Sequence, residues 1–238
     1  MSINRHAGNP APPRVVSPET MYEAIRELGI VPFFENPVPG YSVEERTPKE
    51  YWFEGDELGP WDWKIFAVQS GDIAYGKFLW GGKAAFATVE WYRELMNWRR
   101  SLPRYQPVPE GRQVLDYLAR YGTIGIKEVR GLLGVKKNVA DNVIMRLQMA
   151  TRVVTGDIQR VYRGPDLHYN GWQTSSFCTP EALFETAEGL PGPGGFPFVE
   201  TVSLQVAHTP EESLSRLMEH VREIAPEATE KQILKMLA

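Results

Sequence analysis

Between Glu54 and Lys64 the chain reads Glu-Gly-Asp-Glu-Leu-Gly-Pro-Trp-Asp-Trp-Lys, which sets the carboxylates of Asp56, Glu57 and Asp62 beside the rings of Trp61 and Trp63. A carboxylate is able to take a proton from water, and an indole face is able to stack on a flat base drawn out of a duplex. With Tyr75 as a third ring and Lys77 to meet a phosphate, these residues would make a pocket that holds an extruded base while a carboxylate handles water. A competing reading is structural. Each aromatic ring buries a large apolar area, so a dense run of them is ordinarily core. The block from Tyr51 to Arg100 holds six of the seven tryptophans, namely Trp52, Trp61, Trp63, Trp80, Trp91 and Trp98. Spacing alone leaves both readings open.

A second group of residues suits contact with phosphates and base edges. Lys136, Lys137, Asn138, Asn142 and Arg146 are strung along one helical stretch. Lys holds phosphates, while Asn and Arg reach base edges in the major groove. The elements around them form a pattern. Val114, Leu115 and Leu118 mark a helix ended by Gly122, a second helix runs from Ile126 to about Leu133, and Gly134 breaks it. A third carries Val139, Val143, Ile144 and Leu147 on its apolar side. Arg152 to Thr155, then Gly156-Asp157 as a turn, then Ile158 to Tyr162 reads as a hairpin. Three helices and a hairpin make a winged helix at about residues 108 to 178, and in such a core the third helix enters the major groove. Arg152, Arg160 and Arg163 on the hairpin join the candidate DNA-contacting set. From Glu110 to Cys178 there are ten basic and six acidic residues, a net +4 in a chain of −4, which leaves −8 on the rest. That asymmetry favours DNA contact. The alternative is a solvated helix face on a winged helix used for protein contacts.

Other signals organise the remainder. Ser17 caps a helix with Met21, Ile25 and Leu28 on one face, stopped by Gly29. Residues 31 to 50 are broken by prolines and read as loop with short pieces. Ile73 to Trp80 and Ala84 to Ala87 flank Gly81-Gly82 as a hairpin, and Thr88 caps a helix through Trp98 that ends near Ser101. Leu102 to Pro109 reads as a linker, and a Pro/Gly-rich stretch from Gly189 to Pro197 separates a tail with helices opening at Thr209 and Thr229. The expected fold class is α+β: a disordered lead-in over 1–16, a Trp-rich α+β domain over 17–106, a winged helix-turn-helix domain over 107–185, and a short helical C-terminal tail over 186–238.

Composition bounds the function. A 238-residue chain that is 42% hydrophobic and 24% charged has ordinary globular composition. Cys178 is the one cysteine, so no internal disulfide forms, and with no apolar leader or membrane-length apolar run a cytoplasmic protein without a membrane partner is expected. His6, His168, His208 and His220 show no metal-ligand spacing, so neither metal nor cofactor is expected. A net charge of −4 argues against nonspecific coating of nucleic acid.

Several stretches carry a resemblance: Pro60 to Lys64, Asp72 to Phe78, Glu90-Trp91-Tyr92, Lys127-Glu128-Val129, Leu147-Gln148-Met149, and Gly171-Trp172-Gln173 to Phe177. Over roughly residues 50 to 185 the sequence resembles the AlkZ-related proteins, relatives of the YcaQ and AlkZ winged-helix DNA glycosylases. The resemblance implies a winged-helix protein of DNA repair, with base-excision glycosylases of alkylated or crosslinked DNA as enzymatic relatives. Those enzymes position the attacking water with a Gln-x-Gln or Gln-x-Asp motif, and this sequence departs from it: Gln69 precedes Ser70-Gly71, Gln148 precedes Met149-Ala150, and Gln205 precedes Val206-Ala207. From another class, a transcriptional regulator or ligand sensor fits the same elements, with the Trp-rich region binding a small molecule. A scaffold that contacts only proteins is a third.

Overall fold

The computed structural model describes residues 14–53, 58–185 and 203–238. Over these residues the chain is α+β, with eleven α-helices and two small antiparallel sheets. Most of the lead-in and the Gly189 to Pro197 stretch lie outside the described residues. Val15 lies within them, fully buried, with its N–H bonded to the Arg46 carbonyl.

The chain enters through α1 (Pro18–Leu28), where Ser17 caps the helix as its side chain accepts from the Thr20 N–H. Gly29, at φ 69°, ends it and has no room for a Cβ against Trp91 and His220. Strand β1 (Ile30–Pro32) follows, and the Pro-broken stretch resolves into two single-turn helices, α2 (Val43–Arg46) and α3 (Glu50–Phe53). Helix α4 (Pro60–Gln69) starts on a proline suited to the first helical turn. The expected hairpin is present as β2 (Ile73–Leu79) and β3 (Lys83–Thr88), joined through Gly81 and Gly82, both with positive φ. The sheet order is β1-β3-β2. Helix α5 (Val89–Ser101) begins after Thr88, whose side chain makes no capping bond.

A second set of elements runs α6 (Pro109–Tyr121), β4 (Ile124–Gly125), α7 (Ile126–Leu133), α8 (Lys137–Met149), β5 (Val154–Arg163) and β6 (His168–Cys178), with sheet order β4-β6-β5, and the short α9 (Pro180–Phe184) follows. Gly122 and Gly134 end α6 and α7 with positive φ, and Glu128 turns back to accept the Gly125 N–H. The hairpin expectation needs correcting. Gly156-Asp157 is not the turn: β5 continues through it to Arg163, and the reversal lies between Arg163 and His168. The register shifts between Thr155 and Asp157, so Gly156 sits at a bulge, and a Cβ there would meet Cys178 Sγ at 2.9 Å. Val139 is also misplaced by periodicity. It is 42% exposed, while Ala140 is fully buried, so the apolar face of α8 is Ala140, Val143, Ile144 and Leu147.

Two cores follow from these patterns. The smaller gathers Val114, Leu118, Ile124, Val129, Ala140, Val143, Ile144, Leu147 and Val153. The larger runs through β1–β3, α1, α4 and α5, and draws in Leu217 and Val221 of α10 (Pro210–Ile224) with Ile233, Met236 and Leu237 of α11 (Glu230–Leu237). Arg99 joins the parts. Fully buried on α5, it donates to the carbonyls of Phe78 on β2, Met149 on α8 and Leu237 on α11. Two of those carbonyls lie at helix C-termini, where the peptide dipoles favour a cation. Burial pulls its pKa down to about 10.

Candidate functional site

Asp62 sits in the first turn of α4, almost fully buried beneath the long hairpin. Three donors converge on its Oδ1: Tyr169 Oη at 2.5 Å, Arg160 Nε at 3.2 Å and Gln173 Nε2 at 3.2 Å. Gln173 Nε2 also lies 3.0 Å from the Tyr169 hydroxyl, and its Oε1 accepts from Lys64 Nζ at 2.5 Å. Lys64 donates as well to the Trp61 carbonyl, and its ammonium lies 3.5 Å over the Trp61 ring. Burial drives the Lys64 amine down to about 7, against the opposing pull of the Asp62 charge. A charged lysine out of water is costly unless it is paired, and here amide, carbonyl and ring supply part of that pairing.

The arrangement fixes the hairpin against α4. One end of α4 is tied to β5 and β6 through Asp62, and the other through Gln69, whose Nε2 donates to Asp157 Oδ1 at 3.1 Å. All three bonds fall on Oδ1 of Asp62, so Oδ2 is the oxygen left to meet water.

The other sequence candidates scatter. Glu57 and Asp56 lie outside the described residues. Tyr75 is buried on β2 against Phe86, and Trp63 is buried against Tyr51 with its indole N–H on the Leu58 carbonyl. Trp61 is 44% exposed and meets Phe33 edge-on. The three rings therefore face different neighbours: Tyr75 and Trp61 are linked through the Phe86 and Phe33 rings, while Trp63 packs on Tyr51. Lys77 is exposed, and its backbone N–H donates to Gln148 Oε1.

Among the candidate DNA contacts, Lys136, Lys137, Asn138, Asn142 and Arg146 are all exposed on α8 or at its start. Lys137 is held 3.0 Å from Asp141, and neither Lys136 nor Arg146 forms an ion pair among the described residues. The hairpin arginines differ. Arg160 is committed to Asp62, Arg152 is half-buried with no partner for its Nε among the described residues, and Arg163 is exposed with its guanidinium 5.3 Å from the Trp172 ring. Tyr169 and Gln173 escaped sequence reasoning. Gln173 stood in a quoted motif, but no spacing signal pairs it with residues more than a hundred positions away.

An α+β chain with two small antiparallel sheets and an exposed polar face on α8 matches a known family. A family model described as AlkZ related matches residues 15–238. The chain belongs to the AlkZ-related family, and the match extends beyond the stretch of 50 to 185 on which the resemblance was read. No curated protein and no solved structure gives a significant match. Among the described residues no helix is long and apolar enough to cross a membrane, and no cluster of His, Cys, Asp or Glu could hold a metal ion.

Proposed function

We propose that this protein binds DNA through a winged helix formed by α6, β4, α7, α8, β5 and β6, with a Trp-rich N-terminal domain over 17–106 packed beside it and the C-terminal helices closing the N-terminal core. Helix α8 enters the major groove, with Lys136, Lys137, Asn138, Asn142 and Arg146 facing DNA and Arg163 reaching it from the hairpin. The observation that carries this reading is the open polar face of α8 at the third-helix position of a helix, strand, helix, helix, strand, strand order. Family membership supports kinship with DNA glycosylases, and a place in the repair of alkylated or crosslinked DNA. Arg160, paired with Asp62, holds the hairpin to α4 rather than the DNA.

The test is binding of intact, alkylated and abasic duplexes across a salt series, with the same reactions scored for abasic sites. Salt-sensitive binding is expected, and Lys136→Glu with Arg146→Glu weakens it on the order of a hundredfold while the protein stays folded. Unchanged affinity in the folded double variant would remove α8 from the interface.

A second reading, a non-enzymatic regulator or damage sensor, is favoured by the lack of a Gln-x-Gln or Gln-x-Asp motif in the sequence. Hydrolysis of a glycosidic bond needs water to attack the sugar carbon as the base departs, with a group to take the water's proton. Where excision is seen, Asp62→Asn abolishes it if Asp62 is that group. Full activity in the variant leaves Asp62 as a strut.

A further inference from the structure

A cavity of about 380 Å³ lies between the 104–108 segment, the start of α6 and the C-terminal half of α8. Its apolar lining includes Val108, Val143, Leu147 and Met149, with Val108 exposed at its edge, and its charged side chains are Arg104 and Arg146. No carboxylate lines it. Both arginines are exposed, and neither guanidinium makes a hydrogen bond or ion pair with a described residue; that of Arg104 lies 4.8 Å from the Tyr105 ring. The volume suits a ring-sized molecule. Two guanidiniums without a counter-charge, beside apolar walls, select a ligand with an anionic head and an apolar body, because the planar forks pair carboxylate, sulfonate or phosphate oxygens.

We propose that this cavity binds a small amphipathic anion, with Arg104 and Arg146 gripping the charged group and Val108, Val143 and Leu147 covering the ring. Arg146 also belongs to the α8 face proposed to meet DNA, and this linkage rests on that reading. A ligand that holds Arg146 withdraws a cation from DNA, and by reciprocity DNA weakens the ligand. The cavity is thus a site at which a metabolite-sized acid competes with DNA.

The experiment uses 1-anilinonaphthalene-8-sulfonate as the probe and the full chain, titrated by fluorescence without DNA. Saturable one-site binding is expected. Arg104→Gln with Arg146→Gln weakens it at least tenfold, Val108→Trp, which fills the mouth, does the same, and Lys231→Gln on α11 does not. Each variant is first confirmed to melt like the parent. Absence of saturable binding, or equal binding in both cavity variants, overturns the site. Adding the probe to DNA-bound protein separates the two claims. A several-fold loss of DNA affinity supports the linkage, unaltered affinity overturns the linkage while the site stands, and a protein that binds the probe but no DNA overturns the DNA reading alone.

Discussion

The larger core and the α8 face treat charge in opposite ways. Within the larger core, Arg99 serves three carbonyls, and Glu94, also fully buried, accepts from Ser213 at 2.7 Å and Arg216 at 3.1 Å with His208 Nε2 at 2.6 Å. Each of those charges joins elements far apart in the chain, and Glu94 fastens α10 to α5. On α8, Lys136, Asn138, Asn142 and Arg146 point into solvent with almost no internal partner. A residue whose hydrogen-bonding capacity is met inside is part of the fold, and one left unpaired at the surface is available to a partner. The net +4 counted over 110–178 therefore overstates the unpaired positive charge at the surface, because Arg160 is paired with Asp62 and Arg152 is half-buried.

If that contrast holds, substitutions inside lower stability and those on α8 lower only binding. The largest effect is expected for Arg99→Met, which strands the Phe78, Met149 and Leu237 carbonyls and costs about 3–5 kcal/mol in chemical denaturation. A cost below about 1 kcal/mol would mean that Arg99 is not what joins β2, α8 and α11.

Glu94→Gln comes next, at about 2 kcal/mol near neutral pH. Despite its burial, bonds from Ser213 and His208 and the charge of Arg216 hold Glu94 below its ordinary value of 4.5. Its contribution is fully present above 4.5 and is lost as pH falls through the lowered value, so the parent and variant acid-denaturation curves converge there. Parallel curves would show that the carboxylate charge contributes nothing.

Lys64 gives the opposite slope. Its folded value of about 7 lies below the ordinary 10.5, so between those values the unfolded chain binds the extra proton and stability rises with pH. Relative to Lys64→Met, the parent gains about 1–2 kcal/mol from pH 7 to pH 9; no relative gain would mean the amine is solvated. The smallest effect is Asn142→Ala, which lowers DNA affinity by about 1 kcal/mol and leaves the melting curve within about 0.5 kcal/mol of the parent. A shifted melt would place Asn142 inside the fold's own bonding.

Local signals carried much of the fold. Ser17, Thr209 and Thr229 cap the helices they announce, and Gly81-Gly82, Gly122 and Gly134 take the positive φ that their turns require. Each of these depends on residues within a few positions, where type and spacing decide the conformation. Gly156-Asp157 deceived for the same reason. The pair has turn chemistry, but its strand pairs with β6 on both sides, and that non-local ladder converts it to a bulge. Val139 failed because an apolar residue fits the period of α8 without meeting the core.

By itself, then, the sequence determined helices α1, α5, α6, α7, α8, α10 and α11, the β2–β3 hairpin, the α+β class, the basic bias of residues 110–178 and the exposed polar run of α8, all of which follow from periodicity, caps and charge count, whereas β1, α4 and β4 carried no such signal. Tertiary structure alone decided that Asp62 is held by Tyr169, Arg160 and Gln173, that Lys64 lies over Trp61 with a depressed pKa, that Arg99 ties three elements together, and that Arg104 and Arg146 flank one cavity. Those are juxtapositions across tens to a hundred or more residues, and the burial and pairing that change a side chain's chemistry exist only once the chain has closed on itself.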